Sequence, residues 1–233
     1  MTPSTLINQT CQICESISET FYQDKRTFYK CPNCSLIFTK DLPDKTLEEN
    51  HYKSQWETTE PTFWENQTKA LISYIEQYIK PSQNHHTQHV TPKRILDFGS
   101  GSGEITRQLE NYGYLVTSLE PMHNGYLKDQ QYPFLFDAVV AVEVIEHLPN
   151  VWEELFEIDK VLKPGGAIII STGLTNSFIE SPDSVKQFNT WEYKDDPTHL
   201  NFFCNRTLNI MAHRQGYNVD IFGEKIFVFI KSN

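Results

Sequence analysis

The stretch RILDFGSGSGE at residues 94–104 combines an apolar run, an acid at Asp97 and three glycines at alternate positions. This pattern predicts a buried strand, a tight loop and a helix that begins over the loop. Glycine permits positive φ and close approach of a ligand to the backbone. A helix start adds free N–H groups and a positive dipole end. The stretch therefore favours a nucleotide-like ligand that carries a carboxylate or a phosphate.

Three further segments agree with an α/β sheet. The run LVTSLE at 115–120 predicts a second strand, and its last residue, Glu120, follows Asp97 by 23 residues. At about this spacing, α/β nucleotide-binding folds place a carboxylate on the ribose hydroxyls. The run FDAVVAV at 136–142 predicts a buried strand, and VLKPGGAIIIST at 161–172 predicts a helix end followed by another strand. A generic α/β sheet with glycine turns would not require acids at the ends of its first two strands.

In this order the segments resemble those of class I methyltransferases that use S-adenosylmethionine (SAM). The resemblance implies an enzyme with an α/β fold and a Rossmann-like sheet. It implies that the glycines approach the methionine moiety, that Asp97 orients the loop and the cofactor's amino group, and that Glu120 holds the ribose diol. The implied cofactor-binding residues are Asp97, Gly99, Ser100, Gly101, Gly103, Glu120 and Glu143. The D-x-G-x-G-x-G spacing differs from the G-x-G-x-x-G of dinucleotide folds, which disfavours a nicotinamide oxidoreductase.

The segment between Glu120 and Phe136 is short, with only 15 residues. A methyltransferase usually fits a helix and a third strand there, including an acid beside the adenine amine. We therefore expect a sheet with a shortened third-strand region, and the adenine acid cannot be assigned. The remaining predicted elements are helices at 62–80, 102–112, 151–162 and 205–215 and a closing antiparallel pair at 217–222 and 226–230.

Cys11, Cys14, Cys31 and Cys34 form the pattern C-x2-C-x16-C-x2-C, which lies within the spacing range of tetrathiolate zinc sites. Each pair can supply two thiolates to one tetrahedral ion. The pattern predicts a zinc ribbon with a structural metal, because four thiolates leave no open position. Disulfides would need a secreted context, of which the sequence shows no sign. Cys204, beside two phenylalanines, is expected to be a packed thiol.

The composition is that of a globular protein of 233 residues with a formal charge of −10. This acidic balance makes nucleic-acid binding unexpected, because nucleic-acid readers usually carry a basic face. The apolar runs are too short to span a membrane and the N-terminus is unlike a secretory signal, so a cytoplasmic chain is expected. The expected organisation is a zinc ribbon at 1–40, a polar connector and helix at 41–90 and the methyltransferase domain at 91–233. Within the connector, the histidine-containing stretch 81–89 is interpreted as a solvated linker.

The segment EVIEH at 143–147 has a second interpretation, as part of a metal site. Positions i, i+3 and i+4 share one helix face, so Glu143, Glu146 and His147 are expected to converge, joined by His199 from a distant loop. The element resembles the metal site of small-RNA 2′-O-methyltransferases and the E-x-x-E-H of ubiquinone-pathway O-methyltransferases. Carboxylates and imidazoles suit Mg²⁺, Mn²⁺ or Fe²⁺. The alternative is a metal-free site in which the histidine packs or hydrogen-bonds locally.

The loop WEYKDDPTHLNFF at 191–203 follows the last parallel strand and is expected to cover the cleft as a substrate lid. Aromatic side chains with polar tips suit a pocket. His199 is the expected general base, because an unperturbed imidazole titrates near neutral pH. Glu143 and His147 complete the catalytic candidates. The alternative for His199 is a side chain that hydrogen-bonds the loop to itself.

With the zinc ribbon and the shortened third-strand region, this loop resembles a group of bacterial-type methyltransferases. The expected function is methyl transfer to an oxygen or carbon of a small molecule. Two alternatives stay open: a non-catalytic SAM-binding or zinc-ribbon interaction protein, and a metal-dependent RNA 2′-O-methyltransferase. No motif encodes the acceptor or the oligomeric state.

Overall fold

A computed structural model describes residues 8–80 and 91–233, so the linker predicted at 81–89 lies outside the described residues. In chain order, the strands are Gln9–Thr10 (β1), Ile17–Gln23 (β2), Thr27–Lys30 (β3), Ile37–Thr39 (β4), Arg94–Phe98 (β5), Leu115–Leu119 (β6), Phe136–Val142 (β7), Leu162–Ser171 (β8), Asn201–Phe202 (β9), Tyr217–Phe222 (β10) and Ile226–Lys231 (β11). The helices are Lys45–Thr58 (α1), Pro61–Tyr78 (α2), Glu104–Asn111 (α3), Pro121–Asn124 (α4), Val151–Val161 (α5), Ser184–Asn189 (α6) and Asn205–Gln215 (α7).

The larger sheet has the order β10-β11-β8-β7-β5-β6, in which β6, β5, β7 and β8 run parallel and β11 and β10 close the far edge antiparallel. Helices α2 and α3 pack on one face, and α5 and α7 pack on the other. Strand β7 is apolar along most of its length because both of its faces are covered. The predicted α/β fold with a Rossmann-like sheet is confirmed.

The shortened third-strand region is also present. Between β6 and β7 the described backbone forms the four-residue helix α4 and a 3-10 turn at Leu127–Asp129 instead of a strand. The sheet therefore ends at β6 on this side, and the end of β6 opens directly into the cleft described below.

The smaller sheet is the cysteine-containing ribbon, ordered β1-β2-β3-β4-β9. Its last strand comes from the far end of the methyltransferase region: Ile37 pairs with Phe202 and Phe38 with Asn201. The loop that carries His199 therefore continues directly into the ribbon sheet. This pairing was not predicted from the sequence.

Helix α1 corrects the prediction of a polar connector ahead of the helix at 62–80, because Lys45–Thr58 in this segment is helical. The Asp44 side chain caps the helix by accepting from the N–H groups of Thr46 and Leu47. None of the residues of α1 is buried, which explains why no apolar stripe marks the helix in the sequence. Among the described helices, none combines the length and apolarity that a membrane crossing requires.

Candidate functional site

A cleft of about 1470 Å³ opens at the carboxyl ends of the parallel strands. This is where open α/β sheets bind their ligands. The glycine loop and Glu120 line one half of the cleft, and Glu143, His147 and His199 line the other. Helix α1 contributes residues to both halves.

The glycine loop is built as the sequence predicts. Gly99, Gly101 and Gly103 all have positive φ, at 72°, 52° and 79°. A Cβ on Gly99 would lie 2.5 Å from the Val144 side chain, and a Cβ on Gly101 would lie 2.8 Å from Trp56 Nε1. The N–H groups of Gly99 and Ser100 both donate to the Leu119 carbonyl, at 2.8 and 3.1 Å. The loop is therefore locked to the end of β6 in a conformation that only glycine adopts readily.

Two carboxylates flank this loop. Asp97 is 2% exposed and accepts a hydrogen bond from Thr106 Oγ1 at 2.6 Å. Burial, opposed by that hydrogen bond, raises the pKa of Asp97 to about 6. Glu120 accepts from the N–H of Gly101 at 3.0 Å and of Met122 at 3.2 Å.

The residues around the loop fit SAM. Within the described ranges no cationic side chain forms a salt bridge with the buried Asp97 carboxyl, so a ligand ammonium is a suitable partner. Glu120, at the end of β6, is placed for a ribose diol. These assignments stay predictions, because they rest on the resemblance and on this fit.

In the other half of the cleft, the Tyr193 hydroxyl contacts two carboxyl groups, that of the partly buried Glu143 and that of the fully buried Glu146. It contacts Glu143 Oε2 at 2.8 Å, Glu146 Oε1 and Thr172 Oγ1. A tyrosine has one hydroxyl proton, so a second short contact to a carboxyl requires that this carboxyl carry a proton. Burial and the charge of Glu146 raise the pKa of Glu143 well above its usual range, in agreement with a shared proton.

His147 and His199 present the same nitrogen to Glu146. His147 Nδ1 lies 3.1 Å from the Thr198 carbonyl, and His199 Nδ1 lies 2.7 Å from the Tyr193 carbonyl. Because a carbonyl only accepts, both Nδ1 atoms carry the proton and both Nε2 atoms are bare when the rings are neutral. These Nε2 atoms lie 3.9 and 4.0 Å from Glu146 Oε1.

Glu146, His147 and His199 thus form a group in which each residue offers a ligand atom within 4.8 Å of the others. Burial lowers the pKa of each imidazole to about 4, so both rings are neutral at pH 7, as a metal requires. Glu146 is fully buried, and its Oε2 has no hydrogen-bond partner among the described residues. A divalent cation would compensate this buried carboxylate, so the residues fit a metal.

Three details differ from the sequence expectation. The segment after β7 is not an α-helix: Glu143 has φ of 53°, and Ile145–His147 forms a 3-10 turn. Glu143, expected as a fourth metal ligand, lies outside the metal-ligand group and bonds Tyr193 instead. The near-neutral pKa expected for His199 is also absent, because burial lowers it.

Several residues of the cleft were not singled out in the sequence. Tyr193 and Asp196 lie in the predicted lid, but the pattern alone does not tell which polar tips point inward. Asp196 Oδ2 lies 2.8 Å from both His51 Nε2 and Gln55 Nε2 of α1. Trp56, also of α1, packs over Gly101. The residues of α1 could not be found from the sequence, since the helix itself carried no apolar periodicity.

The four ribbon cysteines converge as predicted. Cys11 and Cys34 have their sulfurs 3.5 Å apart, and Cys14 and Cys31 have theirs 3.3 Å apart. The hydrogen bond between the first two thiols lowers the pKa of Cys11 to about 5 and raises that of Cys34. Four thiolate donors at one point, three of them in fully buried residues, fit a tetrahedral zinc ion. Cys204 lies outside this group and bonds Thr207 and the Cys34 carbonyl as a packed thiol.

The comparisons with known proteins agree on the family. Residues 63–220, about two thirds of the chain, match the family model described as a methyltransferase domain. Over 118 residues the chain is 30% identical to the ubiquinone biosynthesis O-methyltransferase of Rickettsia akari, covering 42% of this chain and 47% of the relative. The mitochondrial ubiquinone biosynthesis O-methyltransferase of Schizosaccharomyces pombe is 31% identical over 34% of this chain and 38% of its own length. The chain spans about half the length, or less, of these curated relatives.

Solved structures show the same fold at low identity. The plantazolicin methyltransferase BpumL, in complex with a pentazolic desmethylPZN analog and SAH (S-adenosylhomocysteine), superposes with a TM-score of 0.55 at 15% identity, over 82% of this chain and 92% of its own. Human N-acetylserotonin methyltransferase, in complex with SAM, superposes with a TM-score of 0.56 at 14% identity, over 84% of this chain and 61% of its own. The family model matches two thirds of the chain, and the fold agrees with it, so this chain belongs to the methyltransferase-domain family and contains a domain of the SAM-dependent methyltransferase class.

Proposed function

We propose that this chain transfers the methyl group of SAM to a hydroxyl oxygen of a small molecule, with a divalent cation held by Glu146, His147 and His199. The observation that carries the proposal is the approach of two bare imidazole nitrogens to one buried carboxylate beside the cofactor half of the cleft. An acceptor at carbon would not need such a group. The curated relatives that match are named as O-methyltransferases, which supports the same choice.

The chemical class of the methyl acceptor follows from the three residues proposed as metal ligands. Three protein ligands leave positions open on a cation that prefers six oxygen or nitrogen ligands. Two neighbouring hydroxyl oxygens of one molecule fill such positions, so a vicinal dihydroxy compound is the proposed acceptor. The aromatic lining from Trp191 and Tyr193 suits an aromatic ring. The net charge of −10 disfavours RNA as the acceptor.

The chain's own residues supply alignment and a proton acceptor. SAM supplies an electrophilic methyl group on a positively charged sulfur. The loop at residues 99–103, Asp97 and Glu120 would hold it, and the cleft would keep water from the reacting atoms. As the new carbon–oxygen bond forms, the carbon–sulfur bond breaks and its electron pair stays on sulfur. The acceptor's hydroxyl proton goes to Glu143 in its ionised form, which a cation beside Glu146 would favour by opposing the Glu146 charge that, after burial, raises the pKa of Glu143.

The test is a screen of aromatic acceptors with purified chain, SAM and Mg²⁺ or Mn²⁺, scored by SAH release. We expect turnover with ortho-dihydroxy rings, weaker turnover with single hydroxyls, and loss of activity with a chelator of divalent cations. The variants Glu146→Gln and His199→Ala should reduce kcat/KM by about 10²-fold or more, as expected for a metal site. His213→Ala is the matched control, because His213 is exposed on α7.

Three results would contradict the proposal. Full activity after metal removal would leave His199 as a general base without a cation. Tight SAH binding with no turnover across the screen would favour the alternative of a non-catalytic SAM-binding protein. A methylated carbon in the product would move the acceptor atom from oxygen to carbon.

A further inference from the structure

The β2–β3 hairpin of the ribbon places Arg26 against the turn that carries His199. The guanidinium donates from Nη1 to the carbonyls of Pro197 at 3.2 Å and His199 at 3.0 Å, and from Nη2 to the carbonyl of Lys194. Within the hairpin turn, Asp24 Oδ1 accepts a hydrogen bond from the backbone N–H of Arg26 at 2.9 Å. One side chain of the ribbon thus holds three main-chain oxygens of the active-site loop.

The same turn sets the orientation of both imidazoles of the candidate metal group. His199 Nδ1 bonds the carbonyl of Tyr193, and His147 Nδ1 bonds the carbonyl of Thr198. Both acceptors are backbone atoms next to the carbonyls held by Arg26. A displacement of this backbone would therefore rotate both rings away from Glu146.

We infer that Arg26 is a positioning residue, which fixes the turn at 194–199 and through it the ring nitrogens of His147 and His199. The inference rests on the proposed function, because that function gives the two imidazoles their role. Among the hydrogen bonds of the described residues, those from the Arg26 guanidinium go to the backbone of the turn and none goes to Glu146 or to an imidazole ring, so its contacts act on the rings through that backbone.

The chemistry of the site explains why an arginine stands there. Carbonyl oxygens only accept, and a guanidinium offers five N–H donors in a rigid plane. The group is partly buried, lies 4.9 Å from the centre of the Phe28 ring and is held in place by that contact. A lysine has three donors on one atom and cannot span three carbonyls with the same geometry. An alanine would leave the three carbonyls without this partner.

The experiment compares the wild-type chain with Arg26→Lys, Arg26→Ala and the control Lys25→Ala, all loaded with zinc. Lys25 is the exposed neighbour of Arg26 in the same hairpin, so its replacement removes a like charge without touching the turn. The first measurement is Mn²⁺ affinity with SAH present, from the signal of free Mn²⁺ in electron paramagnetic resonance. The second is amide hydrogen exchange along the chain, and the third is SAH affinity by calorimetry.

We expect Arg26→Ala to weaken Mn²⁺ binding by about 10- to 100-fold, the usual cost of losing an outer-shell partner of a metal ligand. Exchange should accelerate at 194–203, with little change at 94–142, and SAH affinity should stay within about twofold. Arg26→Lys should fall between alanine and wild type, and Lys25→Ala should match wild type.

Unchanged Mn²⁺ affinity and unchanged protection at 194–203 in Arg26→Ala would overturn the inference. So would a uniform rise in exchange over the whole chain in both Arg26 variants, which would make Arg26 a general stability residue. If the wild-type chain binds no Mn²⁺, or binds it equally well after His199→Ala, the proposed metal site fails instead. The exchange measurement then decides on Arg26 by itself.

Discussion

Asp97 carries a buried carboxyl group, and in the ligand-free chain burial disfavours its negatively charged form. Its pKa is raised from 3.8 to about 6, mainly by burial. The folded state therefore holds the proton more tightly than the unfolded state, and the stability contributed by this group is lost as pH rises through about 6. The ionised Asp97, which we expect to bind the ligand, therefore lowers the free energy of unfolding of the ligand-free chain.

From this sign we expect Asp97→Asn to raise the free energy of unfolding of the ligand-free chain at pH 7.5, by about 1 to 3 kcal/mol. The asparagine keeps the acceptor for Thr106 Oγ1 and removes the buried charge. Urea denaturation at pH 7.5 and pH 5 measures the effect, and the gain should shrink at pH 5. The exposed Asp129→Asn is the control. A variant less stable than wild type at both pH values would contradict the buried-charge argument.

A second prediction concerns cofactor affinity. If the ammonium group of the ligand pairs with Asp97, binding favours the ionised carboxyl and lowers its pKa below about 6. SAH affinity should then be flat above pH 7 and fall by up to about tenfold per pH unit below pH 6. Calorimetry from pH 5 to pH 8 measures this. Asp97→Asn should bind SAH weakly at every pH and lose the pH dependence; the same slope in that variant would assign it to another group.

At the scale of elements, α1 is joined to the cleft by side chains rather than by a buried face. His51 and Gln55 hold Asp196, and Trp56 packs over Gly101. Gly103 has a similar positive φ, but nothing lies within 4 Å of a Cβ placed there. Substitutions at Gly101 and Gly103 can therefore be compared to separate the effect of backbone strain from the effect of contact with α1.

We expect Gly103→Ala to destabilise the chain by about 1 to 2 kcal/mol through its left-handed backbone alone. Gly101→Ala should add the displacement of Trp56 and release α1, seen as faster amide exchange at 45–58 with little change at 61–78. Adding Trp56→Ala to Gly101→Ala should remove the extra loss of stability. Equal exchange at 45–58 in the two glycine variants would show that Trp56 does not fix α1.

The elements predicted correctly from the sequence are those in which the local pattern of apolar and turn residues matches the residues that the fold buries. The strand at 94–98 and the strand at 217–222 match β5 and β10 residue for residue, because a short apolar run and an alternation of apolar and polar residues are both typical of strands. The helix at 205–215 ends where it was predicted to end, and Gly216, which follows it, has the positive φ of 73° typical of a helix stop. For α1 and β9 the determinants are long-range: a two-residue strand and a polar helix carry too little local signal.

The same distinction holds in the candidate site. Asp97 and the glycines sit in one continuous motif and Glu120 ends the next strand, so their place in the cleft could be predicted. Glu146, His147 and His199 were paired by a resemblance, and the structure brings them together. Glu143 could not be predicted, because its positive φ turns it away from the helix face that the spacing implied.

For the whole molecule, the ribbon and the methyltransferase sheet are tied together at both cysteine knuckles. Thr207 Oγ1 of α7 donates to the Cys34 carbonyl at 2.8 Å, and Arg214 of α7 donates to the Ile13 carbonyl. Strand β4 pairs with β9, directly after the turn that carries His199. An ion held by the cysteines would therefore stabilise the loop that carries His199 as well as the ribbon.

We expect the purified chain to hold one zinc ion, which mercurial treatment releases, and its removal to lower the thermal midpoint. A loss of about 3 kcal/mol or more would correspond to a shift of roughly 6 to 12 °C for a chain of this size. The Cys34→Ser variant should lose the zinc, whereas Cys204→Ser should keep it, because Cys204 lies outside the four-cysteine group. Elemental analysis and calorimetry measure both effects.

The coupling itself is tested by amide exchange before and after zinc removal. If the ribbon holds the loop, exchange should accelerate at 9–39 and also at 196–203, while β5 and β7 keep their protection. Faster exchange confined to 9–39 would make the ribbon an independent module whose metal has no bearing on the cleft. Strand β9 has only two residues, and its backbone pairs with β4 of the ribbon. If its amides stay protected from exchange after the ribbon loosens, contacts with the methyltransferase sheet and its helices must hold the loop.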